Sequence, residues 1–229
     1  MTPGSRQALE TCPADVRREP AAGAGPWTPP GRALSVVKVG GSLAADGPRL
    51  RALLRALAEG AEGPAVLVPG GGGLADAVRA AQAALGFPDA LAHRLALDAM
   101  AGMARILAAL EPRLVVAADP AAALRRGAVP VWDPGGLKDG RPGLPETWDV
   151  TSDSLALWLA AELGAARCLI LKSADAPAGA GPAELAACGL VDAAFPALAA
   201  RFGGTILVRG PGAERVCRGP AAPGRGRAA

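Results

Sequence analysis

With 229 residues, 51% of them apolar, the chain is long enough for one α/β domain with a substantial core, and no apolar run approaches the ~20 residues of a membrane-spanning helix. The net charge of +3 comes without a basic patch interleaved with aromatics, which argues against nucleic acid as a partner. Aromatic residues make up only 3% and tyrosine is absent, so Ala, Leu and Val must do most of the packing.

Residues 1–33 are rich in Pro, Ala, Gly and charge, show no sustained period, and read as a flexible leader. They carry Arg6, Glu10, Asp15, Arg17, Arg18 and Glu19 without a continuous apolar h-region, so no signal peptide is expected and the cytoplasm is the expected compartment. Residues 34–218 then alternate between strand and helix patterns. Strands are predicted at 35–39, 65–69, 113–118, 128–132, 167–172 and 205–209. Helices are predicted at 48–59, 74–85, 89–110, 119–126, 151–164 and 192–201. Most of the strands are continuous Val/Leu/Ile runs, as expected when both faces of a parallel sheet are covered. The expected architecture is a three-layer α/β/α sandwich around a mostly parallel sheet, with ligands beyond the carboxyl ends of the strands. Residues 219–229 hold Arg225 and Arg227 and no acid, and read as a flexible basic tail.

In chain order, the first strand carries Lys38 and runs into Gly40-Gly41-Ser42; the second runs into Gly70-Gly71-Gly72-Gly73. Each turn is followed by a helix pattern, so each offers bare backbone N–H groups to an anion such as phosphate. Lys38 costs free energy inside an apolar strand unless an anion or carboxylate accompanies it, and it reads as a point charge on a transferring phosphoryl group or as a strand-end lysine reaching for solvent. Gly70-x-Gly72-x-x-Ala75 also fits GxGxxA, but no acid-ended strand follows at the dinucleotide spacing. No Walker A sequence occurs, so a kinase here would be neither of the P-loop nor of the protein-kinase class.

The helix 89–110 contains His93, the only histidine, with Arg94 and Asp98 spaced for a surface ion pair; His93 or Asp98 is alternatively a substrate contact. Asp133 to Trp148, with six glycines and prolines between Asp133 and Gly143, reads as a long functional loop. Thr151-Ser152-Asp153-Ser154 opens an apolar helix, with Thr151 or Ser152 as its cap and Asp153 favouring the positive end of the dipole. Alternatively, Asp153 organises Lys38 and Lys172 around a phosphoryl group. Lys172 ends the strand of Cys168-Leu169-Ile170-Leu171 and precedes Ser173-Ala174-Asp175. Asp175 reads as a Mg2+ ligand, a nucleotide contact or a turn cap. Cys12, Cys168, Cys188 and Cys217 show neither CxxC nor zinc spacing, and Cys168 reads as a small core residue.

Taken together, these residues resemble the amino-acid kinase superfamily, which includes acetylglutamate, aspartate, uridylate and isopentenyl phosphate kinases. The resemblance lies in Lys38-Val39-Gly40-Gly41-Ser42, Val68-Pro69-Gly70-Gly71-Gly72, Thr151-Ser152-Asp153 and the strand ending at Lys172, and spans roughly residues 35–209. It implies the amino-acid kinase (carbamate kinase-like) fold. Trp148-Asp149-Val150-Thr151-Ser152-Asp153-Ser154 and Gly189-Leu190-Val191-Asp192-Ala193-Ala194-Phe195 look most like a branch of methanofuran biosynthesis. Members of that branch phosphorylate (5-(aminomethyl)furan-3-yl)methyl phosphate to the diphosphate.

The resemblance implies ATP and Mg2+, with Lys38, Asp153 and Lys172 as the catalytic set. Gly40, Gly41, Ser42, Ser173 and Asp175 are then expected at the nucleotide phosphates, with Asp175 a candidate Mg2+ ligand. Gly70, Gly71, Gly72, His93, Asp98 and Asp149 are expected around a small-molecule phosphate acceptor, Asp98 or Asp149 pairing with its aminomethyl cation. A homo-oligomer is expected, and neither a nucleic acid nor a membrane partner. Many members carry Thr-Asp-Val-Asp-Gly after the nucleotide-site strand, where this chain has Lys172-Ser173-Ala174-Asp175-Ala176. A kinase for another acceptor such as UMP or an amino acid, and a non-catalytic nucleotide- or oxyanion-binding relative, are the alternative readings.

Overall fold

A computed structural model describes residues 33–217. The leader, except for Ala33, and the tail lie outside the described residues. The strands are β1 Ser35–Val39, β2 Ala65–Pro69, β3 Leu114–Ala117, β4 Val129–Trp132, β5 Arg167–Leu171, β6 Thr205–Arg209 and β7 Glu214–Cys217. They form one sheet in the order β3-β4-β2-β1-β5-β6-β7. Every pairing is parallel except β6 with β7. The six predicted strands all form. β7 was not predicted: a charged Glu214-Arg215 pair opens it, and a hairpin contact with β6 makes it a strand.

The helices are α1 Gly47–Ala58, α2 Gly72–Leu85, α3 Asp89–Leu110, α4 Pro120–Arg125, α5 Ser152–Glu162, α6 Pro182–Ala187 and α7 Phe195–Ala199. One face of the sheet packs Val36, Val66, Val68 and Ile170 against α5 and Phe195. The other packs Val37, Leu67 and Leu169 against Leu50, Leu54 and Leu57 of α1 and Ala104 and Leu107 of α3. Both faces being covered explains why these strands are apolar throughout. Helix α5 is buried nearly all round, through Leu155, Ala156, Leu157, Leu159 and Ala160, as an apolar helix without a polar face must be.

Two expectations need correction, and a third gains detail. The predicted helix 192–201 shrinks to α7, because Asp192 is used elsewhere (below). The stretch Asp133–Trp148, read as a long loop, is anchored: Pro134–Leu137 forms a 3-10 turn whose Gly135 N–H donates to Asp133 Oδ1 at 2.9 Å, and Leu137 and Leu144 are buried in the core. The first glycine turn enters a 3-10 helix, Gly41–Ala45, before α1, which Asp46 caps by accepting from the Arg49 N–H at 3.1 Å. Cys168 is a core residue as expected, and burial pushes its thiol pKa up.

Candidate active site

Strands β1 and β2 are in register, Val39 beside Pro69, so their glycine turns leave the same edge side by side. The Gly70 N–H donates to Val39 O at 2.8 Å and the Gly40 N–H to Leu171 O at 3.1 Å, stitching the ends of β2, β1 and β5 together. The two turns touch backbone to backbone: a Cβ on Gly41 would overlap the Gly72 amide nitrogen, and one on Gly70 would overlap that of Gly41. Gly72 also sits at φ +53°, a conformation that costs any side-chain-bearing residue. Glycine is therefore required along this seam for packing as well as for any ligand.

Beside the seam lie three charges, Lys38 and Asp153 buried and Lys172 partly so. Lys38, on the α5 face of β1, places Nζ 2.8 Å from Asp153 Oδ1, and Lys172, just past β5, places Nζ 2.6 Å from Oδ2. Only the Lys172 contact has hydrogen-bond geometry; Oδ1 has no hydrogen-bond partner, so Lys38 meets it as a charge contact. Two ammonium groups against one carboxylate leave one positive charge, at a strand edge lined with glycine amides. Burial opposes ionisation of Asp153, but the two lysines outweigh it and hold its pKa below the ordinary value. Burial, and then the charge of Lys38, push the Lys172 pKa down to about 8 despite Asp153.

Asp153 is held from a distance. The N-terminus of α5 is not capped by the side chain of Thr151 or Ser152, as the sequence had suggested, but by Asp192. That carboxylate accepts from Thr151 N at 2.9 Å, Thr151 Oγ1 at 2.7 Å and Ser154 N at 3.0 Å, and also from Ser154 Oγ. Nothing local in the sequence marks Asp192 as a cap, because it lies about 40 residues downstream of the helix it serves; it falls in the Gly189–Phe195 segment that carried part of the resemblance.

Seen from the seam, one side is a cavity and the other an open edge. The cavity, of about 260 Å³, is lined by Lys38, Gly41, Ser42 and Gly70 to Gly73, and by His93, Leu97, Met100, Val150, Leu155, Arg79 and Trp148. His93 is buried there, its Nδ1 3.2 Å from Thr147 O. Asp98 and Asp149 do not line it. Asp98 pairs with Lys138 at 2.6 Å instead of with Arg94, and Arg94 grips Glu146 through Nε at 3.0 Å and Nη2 at 2.8 Å. The Asp149 main chain is fixed by Thr147 Oγ1 and the Ala194 N–H. Arg79 is a lining residue that the sequence reading does not mention, and Trp148, which lines the cavity too, enters that reading only as the end of the long loop and as part of the motif that carries the resemblance.

On the open side, Ser42 Oγ and Ser173 Oγ are 2.9 Å apart, bringing together two residues expected at nucleotide phosphates. Arg49 Nη2 donates to Lys172 O at 3.1 Å. The Asp175 carboxylate accepts from the N–H groups of Gly212 and Ala213 at 3.0 Å each, so it ties down the turn between β6 and β7. No cluster of three or more His, Cys, Asp or Glu side chains that could hold a metal occurs among the described residues.

Residues 33–176 match the model of the amino acid kinase family. The [5-(aminomethyl)furan-3-yl]methyl phosphate kinase of Methanocaldococcus jannaschii is 29% identical over 146 residues, which is 62% of this chain and 67% of that protein. Among solved structures, the uridylate kinase of Archaeoglobus fulgidus superposes with a TM-score of 0.59 at 17% identity, over 78% of this chain and 91% of the other. An aspartate kinase from Synechocystis superposes with a TM-score of 0.58 at 20% identity, over 81% of this chain and 40% of the other.

Proposed function

This chain belongs to the amino acid kinase family, a family of phosphotransferases, and from that premise we propose that it transfers the γ-phosphate of ATP to (5-(aminomethyl)furan-3-yl)methyl phosphate. The observation that carries the kinase reading is the buried Lys38–Asp153–Lys172 set beside two touching glycine turns. The likeness to the M. jannaschii kinase supports the acceptor. So does the cavity: at about 260 Å³ it is small beside the ~300–1,000 Å³ of drug-sized ligands, which suits a single-ring acceptor.

An acceptor phosphate oxygen attacks the γ-phosphorus in line. The bond from that phosphorus to the bridging oxygen of ADP breaks, ADP leaves, and the acceptor becomes a diphosphate. Lys38, Lys172 and the glycine N–H groups stabilise the charge on the transferring oxygens, while Asp153 fixes both ammonium groups so that none has to be reoriented during the step. The phosphate oxygen is already ionised near neutral pH, so no general base is required. Mg2+ would arrive on the phosphate oxygens of ATP and supply further charge neutralisation, which fits a donor set of ammonium and amide groups in which Asp175 is already engaged. The chain self-associates in this reading through α3, where Leu91, Leu95 and Ile106 are exposed together with Leu74 of α2.

ADP release with Mg-ATP against the furan phosphate, UMP, isopentenyl phosphate, acetylglutamate and aspartate tests the proposal. Turnover with the furan phosphate well above the rest is expected; turnover confined to another acceptor would overturn the substrate assignment.

A further inference from the structure

We propose that Arg79 receives the anionic group of the acceptor and that Gln82, acting through Trp148, is the positioning residue that holds Arg79 in place; this rests on the phosphate-acceptor reading above. Among the residues lining the cavity, Lys38 and Arg79 carry positive charge. Lys38 already has a buried carboxylate beside it. The partner of Arg79 is of another kind: Asp76, one turn earlier on α2 and 3.1 Å away, with both side chains largely exposed. Such a pair contributes little in water, so a ligand oxyanion can take the place of Asp76 at small cost. A guanidinium also offers two parallel N–H groups to a phosphate, which an ammonium does not. Side chains on a helix lean toward its N-terminus, and Arg79 pairs in that direction, toward the glycine turns that open α2.

A long exposed arginine loses rotamer freedom when it binds unless something already holds it. Here the holder is visible. Arg79 Cζ lies 4.2 Å from the centre of the Trp148 ring, a cation–π contact. The Trp148 indole N–H donates to Gln82 Oε1 at 2.6 Å. Gln82 Nε2 donates in turn to Phe87 O at 3.1 Å and Asp89 Oδ1 at 2.7 Å. The Gln82 side chain thus fastens Trp148 to the end of α2 and the start of α3, without itself lining the cavity. Its influence on the acceptor has to pass through Trp148 to Arg79.

Steady-state kinetics provide the test, with Mg-ATP and whichever phosphate monoester of the panel the wild type phosphorylates. Arg79→Ala is expected to raise the acceptor KM about thirtyfold with the ATP KM unchanged, and Arg79→Lys to recover only part of that, because the fork is lost. Trp148→Leu should raise the acceptor KM about tenfold, and the Arg79→Ala/Trp148→Leu double variant should be no worse than Arg79→Ala alone. Gln82→Leu and Trp148→Phe, which keeps the ring but removes its N–H, should each raise it about threefold at near wild-type kcat, with no further rise when combined. An unchanged acceptor KM in Arg79→Ala, or multiplicative effects in the double variants, would overturn the inference. So would a Gln82→Leu protein whose kcat and melting temperature both fall while its ATP KM rises with the acceptor KM, since that is the mark of a purely structural role. A wild type that phosphorylates no phosphate monoester overturns the functional reading and this inference with it, an outcome distinct from an active wild type indifferent to Arg79.

Discussion

On the α2–α3 side of the glycine seam the chain forms a cavity of about 260 Å³; on the β5–β6 side it ends in a short open edge where Asp175 ties down the turn between β6 and β7. In the proposed reaction the cavity side would select among acceptors by shape, through Leu97, Met100, Leu155 and Trp148. The open side presents ammonium, hydroxyl and amide groups, which grip phosphate but read little else. Selectivity should therefore reside with the acceptor, and charge handling at the boundary between the two sides, where Lys38, Asp153 and Lys172 meet.

The largest effects should come from that boundary. Lys38→Ala removes the charge that both sides share, and should lower kcat by about 10³-fold or more while changing acceptor affinity much less, as loss of a preorganised charge in the transition state does. Equal losses in the two would place Lys38 on the acceptor side alone. Asp153→Asn leaves two ammonium groups facing each other without a carboxylate. Removing one member of a buried ionic set costs about 3–5 kcal/mol, so both the melting temperature and turnover should fall, whereas a stable, active variant would break the picture of a shared centre.

Next in size is the seam. Gly41→Ala puts a methyl group against the Gly72 backbone; overpacking of this kind costs about 1–3 kcal/mol, and because it separates the two turns it should depress kcat even in protein that remains folded at the assay temperature.

The pH dependence separates the two sides more gently. Lys172 has a folded-state pKa of about 8, against 10.5 for an ordinary lysine. Its ammonium is lost as pH rises through about 8, so ATP affinity should fall above that pH while acceptor affinity changes less, and ATP binding near it should be accompanied by proton uptake. For stability the sign is opposite. Between about 8 and 10.5 the unfolded chain holds more protons at this residue than the folded chain, so its burial penalty, complete below that window, is relieved as pH rises across it. Titration calorimetry in buffers of different ionisation enthalpy would detect the proton. The smallest effect is expected from Asp175→Ala, about 1–2 kcal/mol of stability from lost turn hydrogen bonds, with kcat nearly unchanged; a collapse of ATP binding would place Asp175 at the nucleotide.

What could be read in the sequence were the features carried by short-range patterns. The apolar runs that carry Lys38 and lead to Lys172 and the glycine turns fall at one edge, as the parallel arrangement requires, and Asp153 meets both lysines. The features that could not be read depend on partners far apart in the chain. Asp192 caps α5 from about 40 residues downstream, and Trp148 reaches Gln82 across 66 residues. The Arg94–Asp98 spacing fits an ion pair, yet Glu146 and Lys138 supply better partners once the Asp133–Trp148 stretch folds back onto α3. Strand β7 exists only because β6 lies beside it.

Phosphorus NMR of a reaction containing the protein, Mg-ATP and (5-(aminomethyl)furan-3-yl)methyl phosphate tests the transfer most directly. Stoichiometric ADP and a new furan diphosphate, with its two coupled phosphorus signals, is the expected result. ADP accompanied only by inorganic phosphate, or ATP left intact, would contradict phosphoryl transfer to this acceptor.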